Sequence, residues 1–314
     1  MNKSYTVLLY YKYIEIENSN LEIKKHLEFL KSINLLGRVI ISEEGINGSL
    51  CGEYHNCEKY IEYMNNHLLF NNIEFKKSES SFICFSKLHV KYKKEITILG
   101  IDPKDLSAKD SAKKISPKEF HEVLKAKKNN NKDFILFDTR NNYESRIGSF
   151  EGAIKPNLKN FRDFPKYFEE NKDLFKDKEV YMYCTGGIRC ERASALLKKI
   201  NISRDIIHLN GGIHKYAEEY PDGFFRGKNY VFDDRVSIKI NDDILTHCDI
   251  CNNKCDSYNN CLNAICNKHY ISCDACMMSM KSCCSKKCKD LTESKSVPLR
   301  PPLVSRSNIN CEIK

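Results

Sequence analysis

A chain of 314 residues is too long for one ordinary domain and predicts two or three. Hydrophobic residues make up 41% of it, enough for real cores, but no apolar run approaches the roughly 18 residues of a spanning helix, so no transmembrane helix is predicted. The formal net charge of +9 suits a nucleic-acid partner, although a general richness in Lys and Asn weakens that argument.

Met1 to Tyr10 reads as a strand entry, lacking the long apolar core and small-residue cleavage site of a signal peptide, which predicts a cytoplasmic location. Tyr5 to Tyr13 is an apolar, aromatic strand, and Leu21 to Leu36 carries leucines and isoleucines at helical spacing. Gly37 to Ser42 is a strand, Glu43-Glu44-Gly45 a turn, and Ile46 to Cys51 the hairpin partner. A second helix is expected over Tyr54 to Leu68 and a fourth strand over Ile73 to Lys76. The order β-α-β-β-α-β is that of a ferredoxin-like unit, expected over residues 1–100. His89, Lys91, Lys93 and Lys94 around Tyr92 form a basic strand that serves either as a solvated edge or as an RNA contact.

Residues 101–115 read as a polar linker. Ser116-Pro117-Lys118-Glu119 is a capping box that opens a helix. Phe134 to Phe137 is a continuous apolar run, suited to a central parallel strand, and ends in Asp138-Thr139-Arg140. Groups at the carboxyl ends of parallel strands face the binding crevice, so Asp138 and Arg140 are expected to support the site, or else to form a local ion pair. Glu179 to Tyr183 is the next strand, followed by Cys184-Thr185-Gly186-Gly187-Ile188-Arg189 and the helix that Cys190 and Glu191 open. A cysteine at a strand-to-helix turn meets converging backbone N–H groups from Thr185, Gly186, Gly187 and Ile188, together with the helix dipole. That field favours the nucleophilic thiolate, and Arg189 adds a fixed charge. Cys184 is therefore the candidate nucleophile, Arg189 its electrostatic partner and Cys190 a candidate resolving thiol.

Ten of the sixteen cysteines crowd one segment: Cys248, Cys251, Cys255, Cys261, Cys266, Cys273, Cys276, Cys283, Cys284 and Cys288. Without a secretion signal this density favours metal over disulfides, and the two Cys-x-x-Cys pairs with their neighbours supply thiolates for two tetrahedral structural zinc sites. Free thiols and an iron–sulfur cluster are the alternatives. A cysteine-rich module is expected over residues 236–290 and a flexible tail over 291–314, which holds Cys311.

Asp138 to Glu144, Ile147 to Ala153, the Cys184 loop and Leu209 to Ile213 resemble successive landmarks of a rhodanese domain, expected over residues 116–235 with a parallel α/β sheet. With Gly37 to Gly48 upstream and Phe232-Asp233-Asp234-Arg235-Val236 ahead of the cysteine-rich segment, the chain resembles the bacterial tRNA uridine-34 hydroxylase family, which has an acylphosphatase-like N-terminal domain. The resemblance implies an oxidoreductase that uses molecular oxygen as co-substrate to form 5-hydroxyuridine at the wobble position, with the tRNA anticodon loop as partner and Cys184 as the essential cysteine. No flavin, haem or nicotinamide motif is visible, and no membrane or protein partner is inferred. Two routes stay open: addition of the thiolate to uridine C6, or oxidation of the sulfur first. A sulfurtransferase carrying a persulfide on Cys184 is the main rival, and a noncatalytic tRNA-binding scaffold is a third class.

Overall fold

The computed structural model describes residues 4–127 and 133–300. In the N-terminal unit, β1 (Tyr5–Tyr13), α1 (Ser19–Ser32), β2 (Leu36–Ser42), β3 (Gly45–Gly52), α2 (Tyr54–Asn65), β4 (Lys76–Ser80) and β5 (Leu88–Tyr92) form a five-stranded sheet of order β4-β1-β3-β2-β5. Strand alternation sorts its two faces. Leu8, Tyr10, Val39, Ile41, Ile46 and Leu50 point towards α1 and α2 and bury there with Leu30, Tyr60 and Met64. The register Leu9↔Ser49, Tyr11↔Asn47, Arg38↔Ser49 and Ile40↔Asn47 puts these residues together on the opposite face. That second face packs over the Cys184 loop.

The fourth strand starts at Lys76, where the sequence suggests it should end. Asn72 adopts a left-handed φ of 60°, which breaks extended structure, and Ile73 buries from a loop. The strand itself reads Lys-Lys-Ser-Glu-Ser, a polar edge with no apolar alternation to reveal it. The residues expected to be a linker are also folded. Leu106, Ala108 and Ala112 are buried, and β6 (Lys113–Ile115) pairs in parallel with a later strand, β10.

The second unit continues with α3 (Pro117–Lys127), capped by Ser116 and Glu119 as the motif predicts, β7 (Phe134–Asp138), α4 (Asn142–Ile147), β8 (Gly148–Phe150), α5 (Phe164–Glu170) and α6 (Lys172–Phe175). Next come β9 (Glu179–Tyr183), α7 (Ile188–Ile200), β10 (Asp205–Leu209), α8 (Gly212–Glu219), β11 (Phe225–Tyr230) and β12 (Ser237–Lys239). The parallel sheet has order β6-β10-β9-β7, and β8, β11 and β12 form a small antiparallel sheet. The two faces of the parallel sheet are both apolar, as helices on both sides require: Phe137, Val180 and Met182 pack with Phe164, Phe168 and Leu197, while Leu136, Tyr181 and Leu209 pack with Phe120 and Tyr216.

The cysteine-rich unit has little regular structure: β13 (Tyr258–Asn260), β14 (His269–Ile271), α9 (Asp274–Ser279) and α10 (Lys286–Glu293). The expected flexible tail begins inside α10, and Pro298 and Arg300 are tied back by hydrogen bonds to Ala264 and Leu262. The rest of that tail, with Cys311, lies outside the described residues.

Candidate active site and metal centres

Cys184 leaves the carboxyl end of β9 and the chain turns at once into α7. Gly187 makes the turn with a left-handed φ of 101°, which points its N–H at the Cys184 sulfur, 3.0 Å away. Burial alone would raise the Cys184 thiol. The Cys190 S–H, the Arg189 charge and the N–H groups of Arg189 and Cys190 overcome it and hold the thiol well below its ordinary value of 9.0. Burial and the Cys184 charge push Cys190 the other way. The surroundings therefore favour the thiolate at Cys184 and the protonated thiol, as donor, at Cys190.

Three segments brace this loop. The fork of Arg189 is engaged by Glu144 of α4, with Nη1 and Nη2 2.5 and 2.7 Å from the two carboxylate oxygens, and Thr185 Oγ1 also donates to Glu144. Arg189 thus positions the loop and supplies charge, with its forked donors already committed. Thr139 holds the end of β9 by donating both its N–H and its hydroxyl to the Tyr183 carbonyl, each at 2.9 Å, and its hydroxyl touches the Cys190 sulfur. The first N–H groups of α8 fix the loop carbonyls, Ile213 N–H to Cys184 and His214 N–H to Thr185. Gly212 allows that approach, since a Cβ there would lie 2.5 Å from the Cys184 carbonyl oxygen. Asp138 and Arg140 form a fully buried pair with each other, and Arg140 donates to the Gly148 carbonyl and lies over the Tyr183 ring. The pair is thus the local ion pair that the sequence allowed, with no hydrogen bond to the Cys184 loop among the described residues.

Above the sulfur lies a cavity of about 500 Å³. Its floor is the Cys184 loop, and its roof is the second face of the N-terminal sheet, with Leu9, Tyr11, Ile40, Asn47 and Ser49. Tyr11 donates to Glu191 of α7, and a Cβ on Gly186 would touch Leu9 at 3.1 Å, so roof and floor are in contact. The walls are mainly apolar (Val7, Ile96, Ile98, Phe161, Val231), whereas Arg38 and Arg162 stand exposed at the rim with no carboxylate partner among the described residues. Phe232, half exposed, lies over the Arg189 guanidinium at 5.8 Å.

Eight of the ten clustered cysteines converge in two groups, Cys248, Cys251, Cys273 and Cys276, and Cys261, Cys266, Cys284 and Cys288. Within each group the sulfurs lie within 4.8 Å of one another, with 3.6 Å for Cys251–Cys273 and for Cys266–Cys284. Four sulfurs about 2.3 Å from a tetrahedral ion stand roughly 3.8 Å apart, so both groups can hold a metal ion. The pairs interleave along the chain, first with third and second with fourth, so neither site closes without the other's segment. Cys255 and Cys283 belong to neither group. Cys255 packs in a small core with Tyr258 and Ile271, and Cys283 is buried against Thr292 Oγ1.

The module reaches the active site through α4. Arg146 pairs with Asp249, Tyr258 Oη donates to the Tyr143 carbonyl at 2.9 Å, and Ile147 packs with Cys248 and Cys276. The same six-residue helix presents Glu144 to Arg189.

Comparisons with known proteins agree with this architecture. A model described as "UPF0176 acylphosphatase like domain" matches residues 5–96, one described as "Rhodanese-like domain" matches residues 117–219, and one described as "Rhodanase C-terminal" matches residues 226–289. The tRNA uridine(34) hydroxylase of Acholeplasma laidlawii is 40% identical over 296 residues, covering 92% of this chain and 91% of that one. The protein of that name from Streptococcus pyogenes is 38% identical over 299 residues, covering 92% and 89%. The chain belongs to the tRNA uridine(34) hydroxylase family. Among solved structures, a rhodanese-related protein from Thermoplasma volcanium is 22% identical, covers 34% of this chain and 92% of its own, and has a TM-score of 0.27.

In this family member the loop and its arginine are readable from one contiguous stretch, whereas Glu144, Thr139, Gly212 and the roof residues are not. The nearest available signal for Glu144 was local: it closes a capping box at the start of α4, where Asn141 N–H donates to its carboxylate. That geometry gives no hint of its second partner, Arg189.

Proposed function

We propose that the protein hydroxylates C5 of the wobble uridine in tRNA, in the cytoplasm, with dioxygen as co-substrate. One observation carries the reading: a stabilised thiolate forms the floor of a cavity whose volume falls in the small-ligand range of roughly 300–1,000 Å³ and whose rim is cationic. A thiolate adds to the electrophilic C6 of a pyrimidine; the S–C6 bond forms and the C5–C6 pair moves to C5 as an enolate, which takes oxygen from an oxidant, and loss of the C5 proton then breaks the S–C6 bond, expels the thiolate and restores the ring double bond. Overall, uridine, dioxygen, two electrons and two protons give 5-hydroxyuridine and water, the electrons coming from a two-electron reductant. Arg38 and Arg162 stand where phosphates of a splayed anticodon loop would pass, and Phe232 offers a stacking surface beside them. His89 and Lys91, in register with Arg38 and Ile40, extend the same sheet face outwards.

Nucleoside mass spectrometry tests this directly. Purified protein with aerated buffer and a chemical reductant should convert U34 of unmodified tRNA to 5-hydroxyuridine, and thiosulfate:cyanide transfer should stay at background. Efficient sulfur transfer with no 5-hydroxyuridine would favour the persulfide reading instead. Binding of tRNA should weaken steeply with salt, by about 0.7 log units per log unit of salt for each single-strand phosphate contacted. Affinity that does not change with salt would count against an anionic polymer as substrate.

The two cysteine groups fit structural zinc, each with four thiolates and no open position. The metal would supply folding energy to a segment too small to hold itself, and no chemistry. A chelator under reducing conditions is expected to release about two zinc ions per chain and expose the module to protease, while activity falls as α4 loosens. Retained compactness of residues 248–288 in metal-free protein would overturn the assignment.

A further inference from the structure

We infer that a second cavity, lined by Lys76, is a phosphate subsite that holds a backbone phosphate of the tRNA anticodon loop while the target base occupies the cavity above Cys184. The inference rests on the tRNA reading above and adds a binding site to it, at the edge of the same sheet face.

The second cavity, of about 380 Å³, lies beside the first, and Tyr11 lines both. Its walls are mainly polar and include Asn72, Ser111 and Asn210. The balance of charge decides what it can hold. Two carboxylates line it, and both are committed: Glu74 pairs with Lys215 at 2.6 Å, and Glu191 pairs with Lys114 and accepts from the Tyr11 hydroxyl. Lys12, Lys76 and Lys109 also line it, and none of them has a carboxylate partner among the described residues. Lys12 donates to the neutral Asn71 carbonyl, and Lys109 is exposed. Lys76 is only 5% exposed, and its ammonium makes no hydrogen bond or ion pair among the described residues; it stands over the face of the Tyr11 ring at 5.3 Å. Burial, with help from Lys215, holds that ammonium below its ordinary value of 10.5, against the pull of Glu74 and Cys184. A buried ammonium is costly without a counterion, and an anion entering the cavity supplies one.

Sheet register relates this site to the first cavity. Lys76 pairs with Leu9, Leu9 with Ser49 and Ser49 with Arg38, and directly paired residues point to the same face. Lys76 and Arg38 therefore lie in one row across the roof, three strand spacings or roughly 14 Å apart. Leu9 and Ser49, which line the first cavity, stand between them. A base splayed into that cavity brings the phosphates on either side of its ribose with it, and a few nucleotides of single strand bridge such a span. Arg38 meets the strand on one side of the base and Lys76 on the other. A phosphodiester is the anion that fits, because it offers several acceptor oxygens to the ammonium, amide and hydroxyl donors of the walls. The cavity is also large enough to admit the ribose attached to it.

The test reads the salt dependence of binding between the full chain and unmodified tRNA. Lys76→Met should weaken binding several-fold at low salt and lower the slope of log Kd against log salt by about 0.7, the loss of one single-strand phosphate contact. Its Tm should equal or exceed that of wild type, because the substitution removes an uncompensated buried charge and keeps most of the apolar stem. Lys76→Arg keeps the charge and should keep the slope. A steep wild-type slope that Lys76→Met leaves unchanged overturns this inference alone. A Tm that falls in Lys76→Met overturns it too, since the ammonium is then already satisfied in the free protein. Inorganic phosphate that raises the wild-type Tm while the two slopes agree assigns the cavity to a free phosphate and overturns the tRNA contact. A wild-type slope near zero removes the tRNA reading itself, and this inference with it.

Discussion

Cys184→Ser should abolish 5-hydroxyuridine formation, with a loss of at least about 10³-fold, while tRNA binding and thermal stability stay close to wild type. Serine is nearly the size of cysteine, so the packed floor keeps its shape, and the Gly187 N–H still has an oxygen to meet. The electrostatics cannot be transferred. The N–H groups and Arg189 charge that hold the Cys184 thiol down act on a group whose ordinary value is 9.0, and a serine hydroxyl is far too weak an acid for them to ionise. The same field sets a pH dependence. A lowered thiol pKa keeps the nucleophile charged at pH values where an ordinary cysteine is protonated, so activity should persist below the usual thiol range and fall only as acid reaches the depressed value. Cys190→Ala removes the S–H donor and should move that acid limb upwards, whereas Cys190→Ser, which retains a donor, should move it little. Cys184→Ser protein that restores 5-hydroxyuridine-derived nucleosides to deletion cells would refute the mechanism.

What could be read from the chain, and what could not, follows from how local each feature is. The Cys184 loop is a strand, a glycine turn and a helix start in one stretch, so its chemistry was visible before any fold. The parallel strands Phe134–Asp138 and Glu179–Tyr183 were visible because burial on both faces demands continuous apolar runs. Lys76–Ser80 and Lys113–Ile115 were not, because both are short polar edges whose pairing partners lie elsewhere in sequence. The metal ligands were legible as a set but not as a partition. Spacing cannot show that Cys248 and Cys251 close with Cys273 and Cys276 across the other site's ligands, or that Cys255 and Cys283 stand aside. The partners of Arg189 and Tyr183 lie 45 and 44 residues upstream and become partners only when β7 and β9 pair.

Arg192→Met should destabilise the protein by about 3–5 kcal/mol and cost activity with it. Arg192 belongs to α7, the helix that begins at the Cys184 loop, and is fully buried. Its Nη1 donates to Glu44 Oε2 at 2.8 Å, its Nη2 to the Ile101 carbonyl at 2.6 Å, and Glu95 lies at 3.5 Å. Glu44 comes from the turn between β2 and β3, so this pair fastens the roof of the cavity to its floor. Methionine retains most of the apolar stem but leaves Glu44 and Glu95 in a buried seam without their cation. Burial already raises the Glu44 carboxyl, opposed by the Ile96 N–H and by Arg192, and removing Arg192 raises it further. A carboxyl raised on folding binds its proton more tightly in the native state, so lowering the pH from neutral towards 5 favours folding. The deficit of Arg192→Met measured by urea unfolding should therefore be largest at neutral pH and shrink on acidification. Adding Glu44→Gln, which removes the orphaned charge, should recover part of the loss. A deficit that is independent of pH, and unchanged by Glu44→Gln, would mean that the arginine contributes packing alone and that the seam is held by its apolar contacts.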